Sequence, residues 1–257
     1  MFTFEWIALV YFSGMLLTGA VITTARRSVI LAAAAVLGVL ALAIATPAPQ
    51  FVRLWLPVGY LLAGYWLPAL IVRGRTGIAP SPGFEAWLAR SDSALRPWLP
   101  RLFSWLVPIT ELAYLFCSPL VPIAFALAWT RGTTLELDRF WAAVLLAGFA
   151  SYATLPWLLS RPPRATSRAA ADPRGLRRLN AFVLGRASHG WNTFPSGHVA
   201  VSWAAAFSLA QIWPEAGAIV ALVAAAIAVG AVAGGYHYVV DIAAGWLTAA
   251  AAAVITW

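Results

Sequence analysis

Lysine is missing from this 257-residue chain, and all 17 basic residues are arginine. Cysteine occurs once, at Cys117 inside an apolar run, which excludes an intramolecular disulfide. Charge is scarce as well: 10% of residues are charged and 62% are hydrophobic, where a soluble domain is about a quarter charged and half apolar. That balance excludes an ordinary soluble enzyme and leaves no stretch for a separate soluble domain. The formal charge of +8 does not point to nucleic acid, because the arginines sit between apolar runs, where membrane topology places them. The start of the chain has Glu5 and no basic stretch, so it reads as a retained first span rather than a cleaved signal peptide. No solenoid repeat is present.

What the chain has is length in apolar runs. In lipid the backbone must satisfy its own hydrogen bonds, so runs of about 20 apolar residues read as helices. Eight are expected, over 4–24, 28–46, 52–72, 104–130, 140–160, 198–213, 216–235 and 239–256. The fold class is therefore an all-α integral membrane protein with about eight transmembrane helices. Alanine and glycine crowd the last three runs, where they allow close helix packing. Two loops are long. Part of 73–103, with its mixture of aromatic and basic residues, reads as a helix lying in the interface. The second, 161–197, carries Arg161, Arg164, Arg168, Arg174, Arg177, Arg178 and Arg186. With eight spans, 14 arginines fall on one face and 3 on the other (Arg53, Arg131 and Arg139). The positive-inside rule then puts the richer face in the cytoplasm.

Three polar clusters interrupt the pattern: Leu158 to Thr166, Asn192 to Ala200 and Gly234 to Gly245. Helix parity puts all three on the arginine-rich face. At the second, Pro195-Ser196-Gly197-His198 opens a helix, whose first turn offers free N–H groups and a partial positive charge to an anion. Ser196 adds a hydroxyl and Gly197 a bare backbone, while Arg161 can grip two phosphate oxygens at once. His237 and Asp241, four apart, share a helix face, so the carboxylate can hold one imidazole nitrogen and free the other as a nucleophile. His198 is then the general acid toward the leaving oxygen. This is equipment for phosphoryl transfer through a phosphohistidine, with arginine and N–H groups carrying the electrostatic load and no metal or other cofactor required. His189 reads as structural. Glu111, a carboxylate inside a span, is as readily functional as paired.

These residues resemble the type 2 phosphatidic acid phosphatase superfamily, the lipid phosphate phosphatases, whose pattern is Lys-x6-Arg-Pro, Pro-Ser-Gly-His and Ser-Arg-x5-His-x3-Asp. Arg161-Pro162, Pro195 to His198, and His237 with Asp241 match it. The resemblance implies a six-helix core over 51–257 preceded by two added helices in 1–50. It assigns His237 as nucleophile, Asp241 as its orienter, His198 as acid, and Arg161 with Ser196 and Gly197 as phosphate binders. It also implies a phospholipid or isoprenoid-phosphate substrate in a membrane, without metal or nucleic acid, in a bacterial cytoplasmic membrane. Two positions depart. Thr154 stands where the family has lysine, and Gly230-Ala231 where it has Ser-Arg. Two phosphate-binding cations are missing, and Arg164 is a candidate replacement. A less charged site suits a phosphodiester, and the relatives similar to sphingomyelin synthase and inositol phosphorylceramide synthase, with a like His-Tyr-x-x-Asp, move phospho-head-groups between lipids. The expected activity is metal-independent hydrolysis of a lipid phosphate or pyrophosphate, with head-group transfer as the alternative.

Overall fold

The computed structural model describes residues 1–24, 26–46, 48–75, 77–93, 107–166 and 176–257. Among them it is all-helical apart from one isolated bridge between Ser160 and Asn192. Three long helices come first: α1 (Thr3–Ile22), α2 (Arg26–Ala45) and α3 (Gln50–Arg73). A short α4 (Pro82–Asp92) follows, with Ser81 accepting a hydrogen bond from the Phe84 N–H at its start. Then come α5 (Val107–Leu115), α6 (Cys117–Trp129) and α7 (Thr134–Ala153). Two short pieces, α8 (Pro163–Thr166) and α9 (Leu176–Ala187), lead to α10 (Gly197–Ile212), α11 (Pro214–Ala233) and α12 (Val239–Thr256).

Five of the described helices, α1, α2, α3, α11 and α12, are long and apolar enough to cross a membrane. This is fewer than the eight runs of the sequence, for reasons visible in the other three. The run 104–130 is divided at Phe116 into α5 and α6, with its first residues outside the described part. The run 140–160 begins earlier, at Thr134, takes in Glu136, Asp138 and Arg139, and ends at Ala153. The run at 198 is a helix of only 16 residues.

That short helix is the centre of the bundle. α10 packs on α6, α7, α11 and α12, and most of its residues are buried by protein. A helix surrounded by other helices needs no lipid-facing stripe and need not span the full hydrocarbon thickness. α7 is the shared wall: α10 and α12 lie against it, and so do α1 and α3. Its interior side carries Phe140, Trp141, Val144 and Leu145, all fully buried. Segment 73–103 contributes α4, while 94–103, with Arg96 and Arg101, lies outside the described residues, as do Arg168 and Arg174.

The two ends of the bundle are built differently. At one end the N–H groups of Thr3 and Phe4 donate to the Asp138 carboxylate at 3.0 and 3.2 Å, closing the open start of α1. Arg53 forms a two-pronged pair with buried Glu5, down to 2.7 Å. Each arginine there lies over a ring: Arg53 over Phe2, Arg131 over Trp213 and Arg139 over Trp257. The other end carries the polar clusters.

Candidate active site

The three clusters meet at that second end. Ser196 caps α10: its Oγ accepts from the Val199 N–H at 3.5 Å, and its own N–H donates to the Asp241 carbonyl at 3.0 Å. The start of α10 is thereby tied to the start of α12. Gly197 is required by packing, because a Cβ there would lie 2.3 Å from the Tyr152 ring. Both residues are buried; the Gly197 N–H donates to Thr193 Oγ1 at 3.4 Å.

His237 stands just before α12. Gly235, at φ +70°, turns the chain back so that the N–H groups of Tyr236 and His237 both donate to the Ala231 carbonyl, at 2.8 and 3.0 Å. Asp241 Oδ2 faces His237 Nδ1 at 3.4 Å and accepts the Tyr238 N–H at 2.9 Å. Since a carboxylate only accepts, this arrangement sets the proton on Nδ1 and leaves Nε2 as the basic nitrogen. His198 lies across from it, ring centroids 5.8 Å apart, with Tyr114 and Tyr65 against its other sides at 5.5 and 6.3 Å. The two histidines are 39 residues apart in the chain, and they share one small cavity of about 20 Å³.

The two arginines of the Arg161-Pro-Pro-Arg164 stretch part company. Arg161 is 52% exposed and forms a two-pronged pair with Glu85 of α4, at 3.0 and 2.7 Å. The guanidinium holds the Glu85 carboxyl below the usual carboxylate range. Arg161 is not among the residues lining the cavity; Arg164 is. The Arg164 N–H donates to the Gly235 carbonyl at 3.0 Å, and its guanidinium sits over the Tyr236 ring, 4.6 Å from its centre. This seat is fixed from behind. Tyr236 stacks on Tyr114 at 4.2 Å, and its hydroxyl donates to Glu111 at 2.9 Å, which also accepts from the Asn180 amide. Glu111 is thus paired, within a network that reaches the residue before His237.

The departures from the family pattern have structural uses. Thr154 Oγ1 donates within 2.6 Å of the Phe194 carbonyl, holding the loop before Pro195 to the end of α7. Ala231 is fully buried, and its carbonyl anchors the turn into His237.

Several lining residues escaped the sequence reading. Tyr65, Tyr114 and Ser188 lie outside the three polar clusters and carry no motif, yet all three line the cavity. His189, expected to be structural, also lines the cavity. It is 7% exposed and stacks on Tyr65 at 4.5 Å. Burial, then the charges of Arg73 and His237, push it down to about 4. The available signal was its place nine residues before His198, in the loop that opens α10.

Fold and site together define an all-helical membrane protein with three histidines and an arginine lining one cavity at a helix-bundle end. A model of the PAP2 superfamily matches residues 85–255, more than half of the chain, and the chain belongs to that superfamily. The match begins inside α4, so α1, α2 and α3 precede it. No curated protein and no solved structure matches the chain. Membership supports a phosphatase or phosphotransferase type of function.

Proposed function

We propose that the protein hydrolyses a lipid phosphate or lipid pyrophosphate through a phosphohistidine on His237. The observation that carries the reading is the facing pair: His237, backed by Asp241, and His198, with ring centroids 5.8 Å apart over one cavity. In the first step His237 Nε2 attacks phosphorus, the bond to the lipid oxygen breaks, and His198 gives that oxygen a proton. In the second, His198 takes a proton from water, whose oxygen attacks phosphorus. The phosphorus–nitrogen bond breaks, phosphate leaves and both histidines are restored.

Arg164 is the cation that faces the phosphoryl group in this reading; Ser196 and Gly197, buried behind the cavity with their N–H groups engaged by Asp241 and Thr193, hold the start of α10 in place. Arg161 acts from outside, tying α4 to the site through Glu85. In this reading the arginine and N–H donors carry the electrostatic load, and no step is assigned to a metal. The arginine-rich end, with the site, faces the cytoplasm by the positive-inside rule.

A transferase uses the same nucleophile on a phosphodiester: His237 takes the phospho-head-group as the first lipid alcohol leaves with a proton, and a second lipid alcohol, giving up its proton to His198, then attacks phosphorus and breaks the phosphorus–nitrogen bond. Thr154 and Ala231 favour that second reading, since both hold backbone where relatives carry cations, and a phosphodiester has one negative charge to balance. Product analysis by mass spectrometry decides between them. The purified protein is incubated with a mixed lipid extract beside His237→Ala. Free phosphate with a dephosphorylated lipid is expected. A new phosphodiester lipid without free phosphate establishes transfer, and no product from either removes both readings.

A further inference from the structure

His189 has a donor that nothing uses. Its Nδ1 accepts the Trp191 N–H at 3.2 Å, so the neutral ring carries its proton on Nε2. That Nε2 is buried and has no hydrogen-bond partner among the described residues. A buried donor without an acceptor is costly and uncommon in a folded chain. The ring lines the same cavity as His198, His237 and Arg164.

Its neighbour is arranged alike. Ser188 Oγ accepts from the Tyr65 hydroxyl at 3.2 Å and from the Gly190 N–H at 3.1 Å. Both lone pairs are taken, and the remaining function of that hydroxyl is to donate. Two adjacent side chains thus offer an N–H and an O–H at the cavity, the N–H without an acceptor among the described residues. Such a pair fits an acceptor oxygen that has no proton of its own.

We propose that His189, assisted by Ser188, is a substrate-binding residue whose Nε2–H donates to a non-bridging phosphoryl oxygen. This rests on the reading of the cavity as a phosphoryl site. It supplies by neutral donors part of what cations at positions 154 and 231 supply in relatives. With its ring pushed down to about 4, His189 stays neutral near pH 7 and adds a hydrogen bond without adding charge.

The test uses the full chain in detergent, with inorganic phosphate and dioctanoyl phosphatidic acid as probes and Kd read from ligand-induced thermal stabilisation. His189→Phe keeps a ring on Tyr65 and removes the donor, and His189→Gln restores an N–H. The expected result is about tenfold weaker binding of both probes to His189→Phe, partly recovered in His189→Gln, with the unliganded melting temperature of His189→Phe little changed. In turnover, KM rises more than kcat falls. Wild-type affinity for both probes in His189→Phe overturns the assignment. Weakening confined to the lipid probe also overturns it, since the contact is then with another part of the lipid. Binding by the wild type without turnover removes the proposed activity and leaves this inference to be judged on affinity alone. Failure of the wild type to bind either probe removes the inference as well.

Discussion

The two ends of the bundle treat their polar groups in opposite ways. At the far end Glu5 is held by Arg53, and both oxygens of Asp138 accept N–H groups at the start of α1. At the site end His189 Nε2, His198 Nδ1 and Asp241 Oδ1 are buried without a hydrogen-bond partner among the described residues. The far end's two buried carboxylates are fully engaged; the site end keeps histidine and carboxylate atoms in reserve. Unsatisfied buried polar atoms are rare in folded proteins; Tyr60 Oη and Trp141 Nε1 are others among the described residues, but the histidine and carboxylate atoms left without a partner all lie at the site end.

The sharpest way to break this contrast is at the facing pair. His237→Ala is expected to remove phosphate release altogether, by on the order of 10³-fold or more, with the protein still folded by its melting curve. Asp241→Asn should cost about 10²- to 10⁴-fold, because an amide can hold the wrong imidazole tautomer. Activity assays beside circular dichroism check both.

Next come the two arginines. Arg164→Ala is expected to reduce kcat/KM by about 10²-fold, as loss of one electrostatic donor does, and Arg161→Ala by clearly less. Equal losses would place Arg161 in the cavity during turnover and its pairing with Glu85 outside it.

Stability should follow His189 in acid. Its folded value, about 4, lies below its ordinary 6.5, so the unfolded chain binds the proton first. Stability is full above pH 6.5 and declines as the pH falls toward 4, by at most about 3 kcal/mol. His189→Phe should flatten that decline in melting temperature against pH, and an unchanged slope would show that another group causes it.

The far end gives the smallest effect on chemistry. Arg53→Met strands buried Glu5 and should cost about 2 kcal/mol of stability. Activity per folded molecule is expected to hold. A fall in kcat there would show that the two ends are coupled.

Much of this contrast was legible from residue types and helix parity. Alternation of spans put Arg161, His198 and His237 at one end, and four-residue spacing put Asp241 under His237. The partner of Arg161 was not legible, since Glu85 lies 76 residues away in a helix outside the matched motifs. Nor was the length of α10. Composition measures how apolar a run is, but whether lipid or protein surrounds it depends on packing across the chain. Thr154 and Ala231 read as losses because a pattern records which side chain is missing. The hydrogen bond from Thr154 to Phe194 is tertiary, and the turn that brings the Tyr236 and His237 N–H groups to the Ala231 carbonyl is backbone geometry; both became visible only in the fold.

Tyr65 belongs to α3, ahead of the segment 85–255 that carries the superfamily match, yet its ring backs both His189 and His198. Reactive groups and one wall of their chamber are therefore encoded in separate stretches of the gene. Recombination that exchanges residues 1–73 for those of a relative would leave every motif untouched and reshape the wall of the cavity. In such a protein substrate range can diversify by shuffling its front, while the reaction is inherited from its back.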